Sequence, residues 1–140
     1  MKFGIGFLLA ATTFGCSFTS AARSDSCLTD EATFVEENLE KIETWTQFST
    51  FYLKHRKCDV SALRYAYTQQ VVHLTASDKG LVGLAKMLAK HPQLKPAIFT
   101  HWKSESVSTE DRDQILKAVD ACRVRQRNIC REVRKILDAP

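Results

Sequence analysis

Hydrophobic positions recur at helical spacing through most of the chain. Val35, Leu39 and Ile42 form one stripe, and Trp45, Phe48 and Tyr52 continue it with a drift. Thr44-x-x-Gln47 has the form of a capping box, so a helix is expected to break and restart there. Leu63, Tyr67, Val71 and Leu74 make the next stripe, with Asp59 or Ser61 as its cap. The run Ser77-Asp78-Lys79-Gly80 predicts a turn, after which Leu81, Leu84, Ala85 and Leu88 trace an amphipathic face. Pro92 forces His91 out of helical geometry and ends that segment. Pro96, Ile98, Phe99 and Trp102 predict a short helix starting near Pro92 or Pro96. Ser108-x-x-Asp111 caps the next one, whose inward positions are Ile115, Leu116, Val119 and Cys122. Ile129, Val133, Ile136 and Leu137 form the last stripe. Strand-like alternation is absent, and no linker or internal repeat divides the chain. The pattern predicts an all-α protein, a compact bundle of five to seven short helices.

The first residues do not follow this pattern. Lys2 precedes an uncharged apolar run from Phe3 to Phe14, which is too short to span a bilayer as a helix. Ser20-Ala21-Ala22 supplies the small residues that a signal peptidase reads. Residues 1–22 are therefore expected to be a signal peptide, and residues 23–140 a single helical domain. A buried N-terminal helix is the alternative, but the run has no polar face. Phe14-Gly15-Cys16-Ser17 also resembles the end of a bacterial lipobox, with Thr13 where leucine is usual. That makes Cys16 a candidate for lipidation, the one route to a membrane that the sequence indicates.

Export changes the meaning of the cysteines. Cys27, Cys58, Cys122 and Cys130 remain after cleavage, and an even number in an oxidising compartment predicts two disulfides. Three connectivities exist. Proximity favours Cys27–Cys58 and Cys122–Cys130, worth about 3.5 and about 2.5 kcal/mol on a loop-entropy estimate. In Ala-Cys-Arg-Val-Arg-Gln-Arg-Asn-Ile-Cys, residues 121–130, the second pair would clasp a helix–turn–helix corner, with one helix ending about Cys122 and the next starting near Asn128. Arg123 and Arg125 would then suit a helix C-terminus.

The formal charge of +4 hides an asymmetry. Asp25, Asp30, Glu31, Glu36, Glu37, Glu40 and Glu43 stand against Lys41 alone near the start. Arg123, Arg125, Arg127, Arg131, Arg134 and Lys135 stand against Glu132 near the end. The two segments either form faces of opposite sign or pack together and neutralise each other. Export removes access to nucleic acid, so no nucleic-acid partner is expected.

Candidate chemistry is sparse. His55-x-x-Cys58 has ligand-like spacing, but the other ligands of a zinc site are missing, and a disulfide-bonded Cys58 cannot ligate. His55, His73, His91 and His101 include no i, i+4 pair. No nucleophile motif or Gly-rich phosphate loop occurs. Glu36-Glu37 lie on a solvated acidic face with Glu40 and Glu43, and Glu110-Asp111 in the first turn of a helix. Trp45, Phe48, Phe51, Tyr52, Tyr65 and Tyr67 are expected to pack in the core. Phe51, on a different face from Phe48 and Tyr52, is a candidate partner anchor. No catalytic residue, metal or cofactor is assigned.

Residues 45–137 resemble a group of small exported proteobacterial proteins. The resemblance rests on an aromatic-rich helix ending before Cys-Asp (Phe48, Phe51, Tyr52, Cys58, Asp59) and a hydrophobic helix closing at Leu74. It continues with Leu84, Ala85 and Leu88, with Pro92, with His101 near a helix end, and with the late Cys122 and Cys130. Small helical, disulfide-stapled periplasmic proteins of this build include immunity proteins against antibacterial effectors delivered by type VI or related secretion systems. The resemblance thus implies a periplasmic inhibitor that occludes a toxin's active site, with a protein partner. Candidate contacts are Glu36, Glu37 and Glu40, or Lys103, Ser104 and Glu105. The alternative is a small envelope chaperone, assembly factor or lipoprotein without enzymatic activity.

Overall fold

The computed structural model describes residues 26–77, 79–122 and 127–139. The expected signal peptide, Cys16, Arg123 and Arg125 lie outside them. Among the described residues there are seven α-helices and no strand: α1 Thr29–Leu39, α2 Trp45–His55, α3 Ser61–Ala76, α4 Gly80–Lys90, α5 Lys95–Trp102, α6 Thr109–Asp120 and α7 Arg127–Leu137. A 3₁₀ turn, Arg56–Cys58, follows α2, and another, Pro92–Leu94, precedes α5. The chain is an all-α bundle stapled by two disulfides.

The centre is α3, which packs against α1, α4, α5 and α6. Its buried positions run around the helix: Tyr67, Thr68, Gln70, Val71, Val72, Leu74 and Thr75. A helix covered on several sides must satisfy its polar side chains internally. Thr75 donates to the carbonyl of Val71 one turn back, and Thr68 Oγ1 lies within hydrogen-bond reach of both Arg64 O and His101 Nδ1. Gln70 Nε2 donates to Ile42 O in the α1–α2 connection. The outer layers follow in order. α1 lies on one side of α3, α6 lies on another, and α7 packs on α6.

Local sequence sets most boundaries. Thr44 Oγ1 accepts from Gln47 N at 3.2 Å and Gln47 Oε1 accepts from Thr44 N at 3.1 Å, the reciprocal capping box expected there. Ser108 and Asp111 form the second box. α3 departs from expectation. Its N-cap is Val60, with no side-chain cap, because the Asp59 carboxylate is engaged by other elements. α6 stops at Asp120 rather than about Cys122. On α4 the fully buried positions are Leu81, Leu84 and Met87, while Ala85 and Leu88 are half-buried.

Cys27–Cys58 ties the residues before α1 to the first 3₁₀ turn, with Cα atoms 4.7 Å apart. Cys122–Cys130 joins the end of α6 to α7 across 6.5 Å. This is the pairing that proximity favoured, and it marks a chain that folds in an oxidising environment. No helix among the described residues is long and apolar enough to cross a membrane.

The α3–α4 corner depends on one glycine. A Cβ on Gly80 would lie 2.2 Å from Leu74 O and 2.4 Å from Thr75 O, both backbone atoms that cannot swing aside. Gly80→Ala gains about 1 kcal/mol of helix propensity. Forcing the corner open costs about 1–3 kcal/mol. A net loss of up to about 2 kcal/mol is expected in urea denaturation, and a raised midpoint would show that the corner yields freely.

Candidate functional site

Two polar constellations emerge from this packing, one closed and one open. The closed one centres on Asp59 and His101. Ile98, His101 and Trp102 share the inner face of α5, so the imidazole enters the core, where His101 is 2 % exposed. Its Nδ1 lies 2.9 Å from Thr68 Oγ1 on α3. Its Nε2 lies 3.1 Å from Asp59 Oδ2, off the line of a well-formed hydrogen bond. Thr68 has one proton to give. Given to Nδ1, it leaves Nε2–H facing the carboxylate. Given to Arg64 O, it leaves Thr68 Oγ1 to accept from Nδ1.

Tyr52 donates its hydroxyl to the same Asp59 oxygen at 2.8 Å. Arg64 Nε stands 3.7 Å from Oδ1 and donates through NH2 to Asp59 O at 3.2 Å. Burial pushes the Asp59 carboxyl up, but His101, Tyr52 and Arg64 together outweigh it and hold the group below the ordinary aspartate value. Burial first, then the hydrogen bond to Asp59 and its charge, pushes the Tyr52 phenol above its ordinary value, and burial followed by the Asp59 and Glu31 charges does the same to Tyr67. Tyr67 donates to His55 O at 3.3 Å. The Thr68–His101–Asp59–Tyr52 chain therefore locks α2, the turn after it, α3 and α5 together. It has the composition of a catalytic relay, with Thr68 and His101 buried and the Asp59 side chain 10 % exposed.

Beside it, Glu31 on α1 stands 3.0 Å from His55 Nδ1 and 2.9 Å from Lys57 Nζ. The hydrogen bond from Lys57 and then that from His55 lower the Glu31 carboxyl. Phe51 is half-buried, 6.2 Å from the Phe34 ring and 4.8 Å from His55. It ties α2 to α1 and is not a free anchor. His55 and Cys58, the ligand-like pair of the sequence, are spent on Glu31 and on the disulfide. Among the described residues no three His, Cys, Asp or Glu side chains converge as a metal site requires.

The open constellation is a groove of about 640 Å³ between α1 and α3. Each helix presents the same spacing to it: Thr29, Ala32, Thr33, Glu36 and Glu40 on one wall, Ala62, Tyr65, Ala66, Gln69 and His73 on the other. These are the i, i+3, i+4, i+7 and i+11 positions of one helix face. Alanines at 32, 62 and 66 leave the space, and longer polar side chains rim it. Glu36 and Glu40 are exposed, and among the described residues neither is in an ion pair. Tyr65 is 58 % exposed, which corrects the expectation that it packs in the core. No lysine or arginine lines the groove.

The structure thus brings Glu36 and Glu40 into one groove and leaves Glu37 outside its lining. Lys103, Ser104 and Glu105 lie in the loop between α5 and α6, and Gln69 on the groove wall donates to Ser106 O of that loop at 3.3 Å. The two candidate surfaces therefore adjoin through Gln69. Sequence reasoning missed the Asp59–His101–Thr68 chain and the Tyr65 wall. The signal for His101 was its place three residues after one core position, Ile98, and next to another, Trp102.

Fold and site together define a disulfide-stapled helical bundle with an acidic inter-helix groove. No family model, no curated protein and no solved structure matches this chain.

Proposed function

We propose that the protein is an exported, periplasmic binding protein of the immunity type, which docks a secreted antibacterial toxin in the α1–α3 groove and blocks its active site. The observation that carries this reading is the groove itself. It joins two carboxylates that are in no ion pair among the described residues, Glu36 and Glu40, to an exposed tyrosine and the Gln69 and His73 side chains, with no lysine or arginine among the described residues that line it. Carboxylates beside an aromatic ring suit an inserted arginine or lysine, through charge-assisted hydrogen bonds and cation–π contact. The disulfides fit life outside the reducing cytosol.

Co-purification with the product of the adjacent gene tests the reading, together with a survival assay on cells exposed to that product. Glu36→Lys combined with Glu40→Lys is expected to weaken binding at least about tenfold, since like charges oppose across an interface. Glu37→Lys should leave it within about twofold. Loss of the gene with no gain in sensitivity, and no complex with the neighbouring product, would sink the proposal.

A further inference from the structure

The two charged segments of the sequence do not neutralise each other. α1, with Asp30, Glu31, Glu36 and Glu37, packs on α3 and the first 3₁₀ turn. α7 packs on α4, α5 and α6, with α3 standing between α1 and that group. From Lys79 to Ser104 the chain contains no Asp or Glu, yet carries Lys79, Lys86, Lys90, Lys95 and Lys103. Lys79, Lys86 and Lys90 fall at i, i+7 and i+11, one outward stripe of α4, opposite its buried Leu84 and Met87. On α7, Arg127, Arg131 and Lys135 are exposed at i, i+4 and i+8, outward from Ile129, Val133 and Leu137. Two of the carboxylates beside these helices are already paired. Glu132 holds Lys95 Nζ at 2.7 Å, and Asp120 holds Arg134. Asp111 caps α6.

We propose that the α4–α5–α7 side docks on a bilayer surface rich in anionic phospholipid, which orients the molecule with the α1–α3 groove facing away. The contact is electrostatic rather than inserted. The large exposed hydrophobics, Leu28, Phe34, Val60 and Tyr65, lie on α1, on α3 or at their N-terminal ends, away from the basic side. A cationic surface near anionic headgroups binds in proportion to the number of its charges and is screened by salt. This gives the chain a route to a membrane that needs no lipid on Cys16.

The test is co-sedimentation of the processed, oxidised, acyl-free protein, its identity checked by intact mass, with extruded vesicles. One set is phosphatidylcholine alone, and the other contains about 30 mol % phosphatidylglycerol, enough for a negative surface potential. Binding is expected only to the second set, and should fall at least about tenfold between about 50 and about 300 mM salt. Each neutralised cation should weaken it roughly fivefold, so the Lys86→Gln/Lys90→Gln/Arg131→Gln variant should lose roughly a hundredfold. Glu36→Gln/Glu40→Gln should bind vesicles at least as well as the parent. That arm separates this surface from the groove, whose failure as a toxin site would leave vesicle binding untouched. Equal sedimentation with both vesicle sets overturns the proposal. So does an unchanged triple variant that keeps its thermal midpoint, or salt-sensitive self-association without vesicles that accounts for the pelleting.

Discussion

His101→Ala will destabilise the protein by about 3–5 kcal/mol, since it removes a large buried side chain and leaves polar groups in the core without their partner. The imidazole is 2 % exposed and fills core space between α3 and α5, so truncation also leaves a cavity. Asp59 then keeps Tyr52 and the distant Arg64 but loses its contact across the core. Thr68 loses its partner on α5. Asp59→Asn should cost less than His101→Ala, because the amide still accepts from Tyr52. The double variant should fall short of the sum of the two, since the second change removes a group that the first has already stranded. Urea denaturation of the four proteins at neutral pH measures this. Additive losses would mean that Asp59 and His101 do not act as a pair.

The same network sets the pH range of stability. A carboxyl held below the ordinary aspartate value of 3.8 binds its proton less readily in the folded state. Its contribution is present above 3.8 and is lost as pH falls through the lower folded value. The stability difference between parent and Asp59→Asn should therefore shrink in acid and hold at neutral pH. Tyr52 and Tyr67 are shifted upward from 10.0, so their contribution is present below 10.0 and disappears as pH rises through their folded values. Tyr52→Phe keeps the ring and removes the titration, and should flatten the alkaline loss.

What the sequence disclosed was chiefly local. Thr44 with Gln47 and Ser108 with Asp111 are three residues apart, so their capping boxes could be read directly and both form. The stripe through Val35, Leu39 and Ile42 is buried as its spacing required, and so are Tyr67, Val71 and Leu74 of the next, while its first member, Leu63, is half-buried. Asp59 shows where this stops. Its place just before a helix made it a capping candidate, but Tyr52 and His101 reach it from α2 and α5, a competition that spacing along the chain does not reveal. The groove has the same origin. Glu36 and Glu40 were visible as an acidic face on one helix, but a groove needs two helices. Tyr65, the aromatic of the second wall, was indistinguishable from its buried neighbour Tyr67 until α1 was placed. The opposition of acidic α1 and basic α7 likewise required knowing that α3 stands between them.

The second large effect concerns Cys27–Cys58, and it joins stability to the groove. Removing the pair as Cys27→Ser/Cys58→Ser is expected to cost about 3–4 kcal/mol from the loop it closes, a sequence separation of 31. Cys122→Ser/Cys130→Ser, with a separation of 8, should cost about 2–3 kcal/mol. The consequences differ in place more than in size. α1 is an outer helix whose main neighbours are α3 and the 3₁₀ turn that holds Cys58. The disulfide fixes its N-terminal side to that turn, assisted by Glu31 through His55 and Lys57. Without the bond, α1 should become the first part of the bundle to open locally, and one wall of the groove opens with it. Amide exchange in α1 should accelerate toward its opening limit while α3 keeps its protection. Binding that depends on Glu36 and Glu40 should weaken by the fraction of time α1 is undocked. The Cys122–Cys130 variant, opened at the α6–α7 corner, should retain α1 protection and groove binding at temperatures where it remains folded. If both double variants lose α1 protection equally, the bundle opens as one unit, and the disulfide at Cys27 has no special hold on the groove.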